Sequence, residues 1–403
     1  MQSTRGPAAL TVGLVLDDSL DRPDGVQQHV LTLGAWLTAQ GHTVHYLATS
    51  TTRTDLPHLH DVGRALSVRF NGNRLSTPLP ASAARLRTVL AAARCDVVHV
   101  AMPYSPLMAG RVVARATPTT AVVGTFHIVP ASPLVAVGAR LLGLVQRRRL
   151  RRFDRVIAVS EPARGFARSA FGLDTVVLPN PVDVARFADA AAADDAGRSD
   201  AAAGDAGAAA PVTVLFLGRL VERKGAAELL EAVAILHRDG LARTPFRVVL
   251  GGRGPLAADL TRYADEHGIG HLVELVGFVP EADKPALLAA ADVVALPSSG
   301  GESFGISVVE ALAAARGVVL AGDNPGYREV IGPLTDQLVD VRRPELFAHQ
   351  LARYLDDPAL RAAARTRQRE RAWVFDVAAV GPAVVEVYRA ALARRCDAGP
   401  PAR

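Results

Sequence analysis

At 403 residues the chain exceeds one ordinary core and suits two domains of roughly 150–200 residues. With 49% hydrophobic and 21% charged residues it is no disordered segment, and no apolar run approaches the ~20 residues of a membrane span. A net charge of +5 favours anionic partners such as nucleotide diphosphates or an acidic membrane surface. Two cysteines, Cys95 and Cys396, exclude a disulfide framework and fit a reducing cytoplasm.

The apolar run Ala8 to Leu16 has the look of a signal-peptide core, but Asp17-Asp18 follow it with no small-x-small cleavage site, so Leu10 to Leu16 reads as a buried first strand. A helix is expected over Gln27 to Gln40. Further strands are expected over Thr43 to Ala48, Asp96 to Val100, Thr120 to Phe126 and Arg155 to Val159, with helical stretches between them. That alternation is the pattern of a doubly wound α/β domain. Between the first strand and helix, the turn Asp21-Arg22-Pro23-Asp24-Gly25-Val26-Gln27 holds a glycine that lets backbone approach a phosphate closely. Asp17, Asp18 and Asp21 either face an acceptor or serve plain turn chemistry. His127 ends the Thr120 to Phe126 strand.

Pro133 to Phe153 is apolar in its first half and then runs into Arg147-Arg148-Arg149-Leu150-Arg151-Arg152. It reads either as an amphipathic helix for an anionic bilayer or as a core helix with a basic end. Arg69, Arg74, Arg85 and Arg87 add scattered positive charge. Residues 188–210 are nearly all Ala, Asp and Gly, and are expected to form a flexible linker or surface insertion. The α/β pattern then restarts, with strands over Val212 to Leu217, Phe246 to Leu250, Leu272 to Val276 and Val293 to Leu296, and a helix over Gly225 to Gly240. A last helix is expected over Asp376 to Arg395.

Three glycine-bearing turns follow strands of this second half, where open parallel sheets hold ligands. In Gly218-Arg219-Leu220-Val221-Glu222-Arg223-Lys224-Gly225, Arg219 and Lys224 either flank a diphosphate or belong to a solvated basic loop. Only Lys224 and Lys284 are lysines in this arginine-rich chain. Gly251-Gly252-Arg253-Gly254-Pro255-Leu256-Ala257 mimics a dinucleotide fingerprint and opens a nicotinamide oxidoreductase reading. The third turn, Ser298-Ser299-Gly300-Gly301, leads into Glu302-Ser303-Phe304-Gly305-Ile306-Ser307-Val308-Val309-Glu310. Were most of the Glu302 to Glu310 spacing helical, the two acids would lie about 12 Å apart along the axis. That matches the reach from sugar to ribose in a nucleotide sugar, with free N–H groups at the helix start for the diphosphate.

On Glu302 and Glu310, which form a Glu-x7-Glu motif, the chain resembles retaining glycosyltransferases of the GT-B fold, family 4. The phrases Asp-Gly-Val-Gln-Gln-His-Val, Thr-Phe-His, Phe-Leu-Gly-Arg and Gly-Gly-Glu-Ser-Phe-Gly-Ile are similar to the bacterial phosphatidylinositol mannosyltransferase branch. The resemblance implies two Rossmann-like domains facing each other across a cleft. The first would span 1–187, with the helix 376–395 packing back on it. The linker 188–210 would follow, and then a nucleotide-sugar domain over 211–375.

The resemblance also implies roles. His127, Arg219, Lys224 and Glu302 would be catalytic, and Gly25, Arg219, Lys224, Ser303, Phe304, Gly305 and Glu310 would bind the donor. It implies a cytoplasmic enzyme, peripheral at the inner membrane face, that moves mannose from GDP-mannose to a lipid headgroup such as phosphatidylinositol, or to a polyol or glycan. No nucleic acid is implied. No metal or other cofactor is expected, since no two aspartates are separated by a single residue and the Asp-x-Asp metal motif of the other main glycosyltransferase architecture is therefore missing. A UDP-sugar with a soluble sugar or inositol phosphate, a GT-B epimerase and a non-catalytic binder remain as alternatives. Two departures bear on the acceptor: His99-Val100-Ala101-Met102-Pro103 lacks a glutamate common after the strand-end histidine, and Ala314-Ala315-Arg316-Gly317 shifts a glycine.

Overall fold

A computed structural model describes residues 9–21, 24–63, 65–70, 73–78, 82–130, 133–202 and 210–397. The chain divides into two compact units, one made of 1–70, 74–181 and 377–403, the other of 182–376 with 71–73.

In the first unit the strands are β1 (Thr11–Val15), β2 (Thr43–Thr49), β3 (Leu59–Gly63), β4 (Ala65–Phe70), β5 (Asn73–Pro78), β6 (Val97–Val100), β7 (Ala121–Phe126), β8 (Arg155–Ala158) and β9 (Val176–Val177). Seven of them form a parallel sheet in the order β3-β2-β1-β6-β7-β8-β9, and β4 pairs with β5 apart from it. β1, β6 and β7 are near-continuous runs of Val, Leu and Ala because both faces of a parallel sheet are covered by helices. The helix Val377–Asp397 closes this unit. Its Val380, Val384, Tyr388 and Ala391 share a core with Val12, Leu14 and Val123 of the sheet.

The second unit carries β10 (Val212–Leu217), β11 (Phe246–Gly251), β12 (Val273–Gly277), β13 (Val293–Leu296), β14 (Val318–Gly322) and β15 (Leu338–Val339), parallel in the order β12-β11-β10-β13-β14-β15. The chain runs outward from β10 to β12, then crosses back to β13. The strand order therefore reverses between β10 and β13, and the loops leaving those two strands open beside each other. In the first unit the reversal falls between β1 and β6. Such switch points are where open α/β sheets leave a crevice for ligand.

The alanine-rich segment expected to be a linker over 188–210 is helical through Ala202, in the helix Val184–Ala202; residues 203–209 lie outside the described residues. Alanine has the highest intrinsic helix propensity, and Val184, Phe187 and Ala191 are buried, so a sparse apolar face anchors the start. The second unit begins at Val182, whose N–H donates to the Phe375 carbonyl at 2.9 Å.

Candidate active site

The loop after β10 and the loop after β13 are locked together through backbone. Ser299 N–H donates to the Arg223 carbonyl at 3.0 Å, and Ser298 Oγ donates to the same oxygen at 2.8 Å. Gly225, at φ +81, lies so near the second loop that a Cβ there would stand 1.9 Å from the Pro297 carbonyl oxygen. Only glycine fits both the torsion and the space. Asn324 secures the other side, accepting from Tyr327 N–H while its Nδ2 donates to the Ser298 carbonyl.

This packing sets three groups on Glu302. Arg223 Nη1 lies 2.5 Å and Lys224 Nζ 2.9 Å from its Oε1, and Ser298 Oγ, which shares its one proton with the Arg223 carbonyl, lies 3.0 Å from the same oxygen. Burial pushes the Glu302 carboxyl up, but Lys224 and Arg223 outweigh it and hold the group below its ordinary value. Glu302 is therefore a fixed anion. Arg219 stands apart from that cluster: its side chain is exposed and pairs with no carboxylate among the described residues.

Glu302 is not on the helix, contrary to the expected spacing. The helix spans Ile306–Ala314, so only Glu310 lies within it. The first half of the interval is held open by glycines, Gly301 at φ +70 and Gly305 at φ +135. A Cβ at Gly305 would meet the Tyr327 ring at 2.7 Å. The N–H groups of Phe304, Gly305, Ile306 and Ser307 donate to no backbone carbonyl among the described residues, so four donors stand open at the helix start. The Phe304 side chain does not take part: it is 3% exposed and stands edge-on to Phe375 with centroids 5.4 Å apart. Its backbone alone is free for a ligand. Ser303 and Gly305 are half-buried in the same loop.

Glu310, one turn into the helix, is 3% exposed. Lys284 Nζ lies 3.5 Å from its Oε2 and 2.7 Å from Glu281 Oε2. Burial pushes the Glu310 carboxyl up to about 7, Lys284 pulls it down, and Glu281 adds to the rise. Burial lowers Lys284, yet Glu310 and Glu281 more than offset this and keep it charged.

Gly25 and His127 belong to the first unit. Gly25 is exposed and opens the helix Gly25–Ala39; its neighbours Arg22 and Pro23 lie outside the described residues. His127 directly follows β7 and is buried, and its Nε2 has no hydrogen-bond partner. Its ring stands edge-on to His29 at 4.7 Å between centroids, and His29 in turn lies 6.0 Å from His99. His29 Nδ1 is bonded to Asn180 Oδ1 at 3.0 Å; His99 is held by Tyr388 and Thr125, each at 2.6 Å. Burial drives all three imidazoles neutral: His29 falls to about 4, His99 to about 3, and His127 well below its ordinary value.

The aspartates after β1 each accept hydrogen bonds from neighbouring segments. Asp17 accepts from Ala109 N–H at 2.5 Å and from Ser105 Oγ, fixing the start of the helix Met108–Val113. Asp18 accepts from Gln27, and Asp21 accepts from Thr51 and Thr52. Among the described residues no group of three or more His, Cys, Asp or Glu side chains is arranged to hold a metal.

Sequence reasoning missed Arg223, Lys284 and His29 as members of these clusters. Arg223 adjoins Lys224, and Lys284 stood out only by rarity. His29 meets His127 across 98 positions, which no local pattern reveals.

Two family descriptions match successive parts of the chain: Glycosyltransferase Family 4 over residues 23–186, and Glycosyl transferases group 1 over 207–371. A phosphatidyl-myo-inositol mannosyltransferase of Mycolicibacterium smegmatis is 34% identical over 387 residues, 94% of this chain and 93% of that one. A D-inositol 3-phosphate glycosyltransferase of Kineococcus radiotolerans is 34% identical over 60% of this chain and 58% of its own. The crystal structure of a glycosyltransferase from Rickettsia africae matches the fold with a TM-score of 0.70 at 16% identity, covering 95% of this chain and 99% of that one.

Proposed function

The chain belongs to glycosyltransferase family 4, and from that premise we propose that it moves mannose from GDP-mannose to the inositol of a phosphatidylinositol headgroup, with retention and without a metal. It is a glycosyltransferase of the GT-B fold. The observation that carries the donor side of the proposal is the pairing of a fixed anion, Glu302, with a helix start whose N–H groups are free.

Glu302 accepts hydrogen bonds from hydroxyls of the donor sugar, and Glu310 accepts them from the ribose. The diphosphate lies against the N–H groups of Phe304 to Ser307, with Arg219 and Lys224 supplying positive charge. As the bond from the anomeric carbon to the phosphate oxygen breaks, negative charge grows on the leaving diphosphate. Fixed cations and N–H dipoles aimed there stabilise the transition state more than the ground state. The acceptor hydroxyl attacks from the face the phosphate leaves. Its proton passes to the departing phosphate oxygen, so no protein nucleophile is needed. His127 of the first unit, kept neutral by burial, has a buried Nε2 without a partner and is the imidazole we assign to bonding a hydroxyl.

The acceptor assignment is supported by the mannosyltransferase relative and by the helix Pro133–Leu150, whose Leu134, Leu141, Leu144 and Val145 are exposed. Among the described residues no helix is long and apolar enough to cross a membrane. An interfacial helix of this kind suits an enzyme that docks on the bilayer holding its acceptor. The D-inositol 3-phosphate relative supports a soluble acceptor as the second reading. Incubation with GDP- and UDP-sugars, each with phosphatidylinositol vesicles or with inositol phosphate, separates the two. Sugar recovered in the organic phase from GDP-mannose alone supports the proposal; transfer only to inositol phosphate replaces it, and an isomerised donor without acceptor points to an epimerase.

A further inference from the structure

The helix Pro133–Leu150 has two neighbouring faces with different chemistry. Leu134, Val137, Leu141, Leu144 and Val145 recur at helical spacing and form one exposed apolar stripe, Leu134 at 83% and Val145 at 84% exposure. Beside that stripe lie Arg140 and Arg147, with Arg151 just past the helix end. The opposite face is anchored, since Gln146 Nε2 donates to the Tyr104 carbonyl and Arg149 to the Pro106 carbonyl.

Arg140, Arg147 and Arg151 form one wall of a cavity of about 840 Å³. Arg155, Arg168 and Arg394 line it from β8, from the helix Glu161–Phe171 and from the helix Val377–Asp397. Two carboxylates share the lining. Asp154 is already neutralised by Arg395 at 2.8 Å and Arg152 at 3.7 Å, and Asp174 is exposed at the rim. Arg140, Arg147, Arg151 and Arg168 ion-pair with no carboxylate among the described residues. Thr175 Oγ1, in the same lining, is buried without a partner. Among the described residues none of these four arginines is neutralised by a direct ion pair, so the lining carries excess positive charge.

We propose that this cavity holds the phosphodiester headgroup of an anionic phospholipid that is not the acceptor. It is thus an anchoring site that fixes the depth and rotation of the first unit on the bilayer. The proposal rests on the reading that the helix docks on a membrane. An interfacial helix sinks its apolar face roughly 5–10 Å to the level where headgroups meet acyl chains. Leu144 belongs both to the apolar stripe and to the cavity wall, so the cavity mouth opens at the flank of the inserted face, at phosphate height. Guanidinium groups converging from several elements suit a phosphate, which each can bind through two parallel hydrogen bonds. A merely basic surface would spread its charge outward instead.

The test compares two single charge removals by co-sedimentation with phosphatidylcholine vesicles, with and without phosphatidylglycerol. Arg168→Gln alters the cavity but not the inserted helix; Arg148→Gln alters the inserted helix but does not touch the cavity. The proposal predicts that Arg168→Gln weakens binding to phosphatidylglycerol vesicles about fivefold or more, and clearly beyond Arg148→Gln. It also predicts that soluble glycerol phosphate competes for the wild-type protein and not for Arg168→Gln. Equal losses in the two variants, without competition, would overturn the site while leaving membrane docking intact. Wild-type protein that stays in the supernatant with every vesicle would overturn both.

Discussion

Lys284 Nζ lies 3.5 Å from Glu310 Oε2, deep enough that neither charge is fully solvated. It is one of only two lysines in the chain; the other, Lys224, stands 2.9 Å from Glu302. An ammonium is a compact charge with three donors, so Lys284 reaches Glu281 and Glu310 together, where a planar guanidinium would impose its own fork.

The first prediction concerns pH. Glu310 in the free protein titrates at about 7, above its ordinary 4.5, and its carboxylate form is the hydroxyl acceptor. Nucleotide affinity should therefore rise as pH increases through about 7 and level off above it. Lys284 lowers the Glu310 pKa, so Lys284→Met should move the midpoint upward, and Glu310→Gln should flatten the profile. Titration calorimetry with GDP across about pH 5 to 8 reads all three proteins. Stability takes the opposite sign: between 4.5 and about 7 the folded state keeps a proton that the unfolded chain releases, so Glu310's contribution falls as pH rises through that window.

Lys224→Ala, Arg219→Ala and Glu302→Gln should each lower turnover about a hundredfold or more, since each removes a preorganised polar contact. Arg219→Ala should leave the melting temperature unchanged, because its side chain is exposed and pairs with no carboxylate among the described residues. Lys224→Ala leaves Glu302 to Arg223 and Ser298 and should cost some stability as well. Steady-state kinetics beside thermal melts distinguish the two. Near wild-type kinetics in all three variants would contradict the site.

Gly225→Ala should cost about 1–3 kcal/mol, from the left-handed torsion alone. Its Cβ would also press on the Pro297 carbonyl and push the two loops apart, so turnover should fall with stability. Chemical denaturation together with kinetics checks both parts.

The three buried histidines of the first unit should make it acid-sensitive. His29 titrates at about 4 in the fold and His99 at about 3, so between those values and 6.5 the unfolded chain binds protons that the folded unit refuses. Stability contributed by these groups is present above 6.5 and is lost as pH falls toward 4. Asp17, pushed up to about 6 mainly by burial, and Asp154, raised by burial, work in the opposite direction over part of the range, but His42, His45 and His60 are lowered by burial as well and add to the three. Protection factors for hydrogen exchange in β1, β6 and β7, corrected for the intrinsic pH dependence of exchange, should fall on acidification, and less so in His29→Gln.

Much of this was legible in the chain. Runs such as Val97-Val98-His99-Val100 and Val293-Val294-Ala295-Leu296 announce buried parallel strands, and β1, β2, β6, β7, β8, β10, β11, β12 and β13 fall where expected within a residue or two. β14 passed unnoticed because Val318-Val319-Leu320-Ala321 follows a helix that is just as apolar. The helix Val184–Ala202 was misread because its Ala and Asp residues show almost no apolar period, while alanine's intrinsic propensity is enough once Phe187 is buried. Glu302 and Glu310 were found by spacing, yet the geometry behind that spacing differs: a glycine-opened loop supplies half of it. Partners brought together by topology, such as Lys284 with Glu310 and His29 with His127, lie 26 and 98 positions apart and leave no local trace.

The most direct measurement is the product itself. Protein incubated with GDP-mannose and phosphatidylinositol vesicles, in buffer containing a metal chelator, is extracted into organic solvent, and the new sugar–inositol linkage is read by NMR. The account predicts a mannosyl lipid carrying the donor's own α configuration, formed at an undiminished rate with chelator present. A β-linked product, a rate abolished by the chelator, or GDP-mannose left intact while another nucleotide sugar is consumed would contradict it.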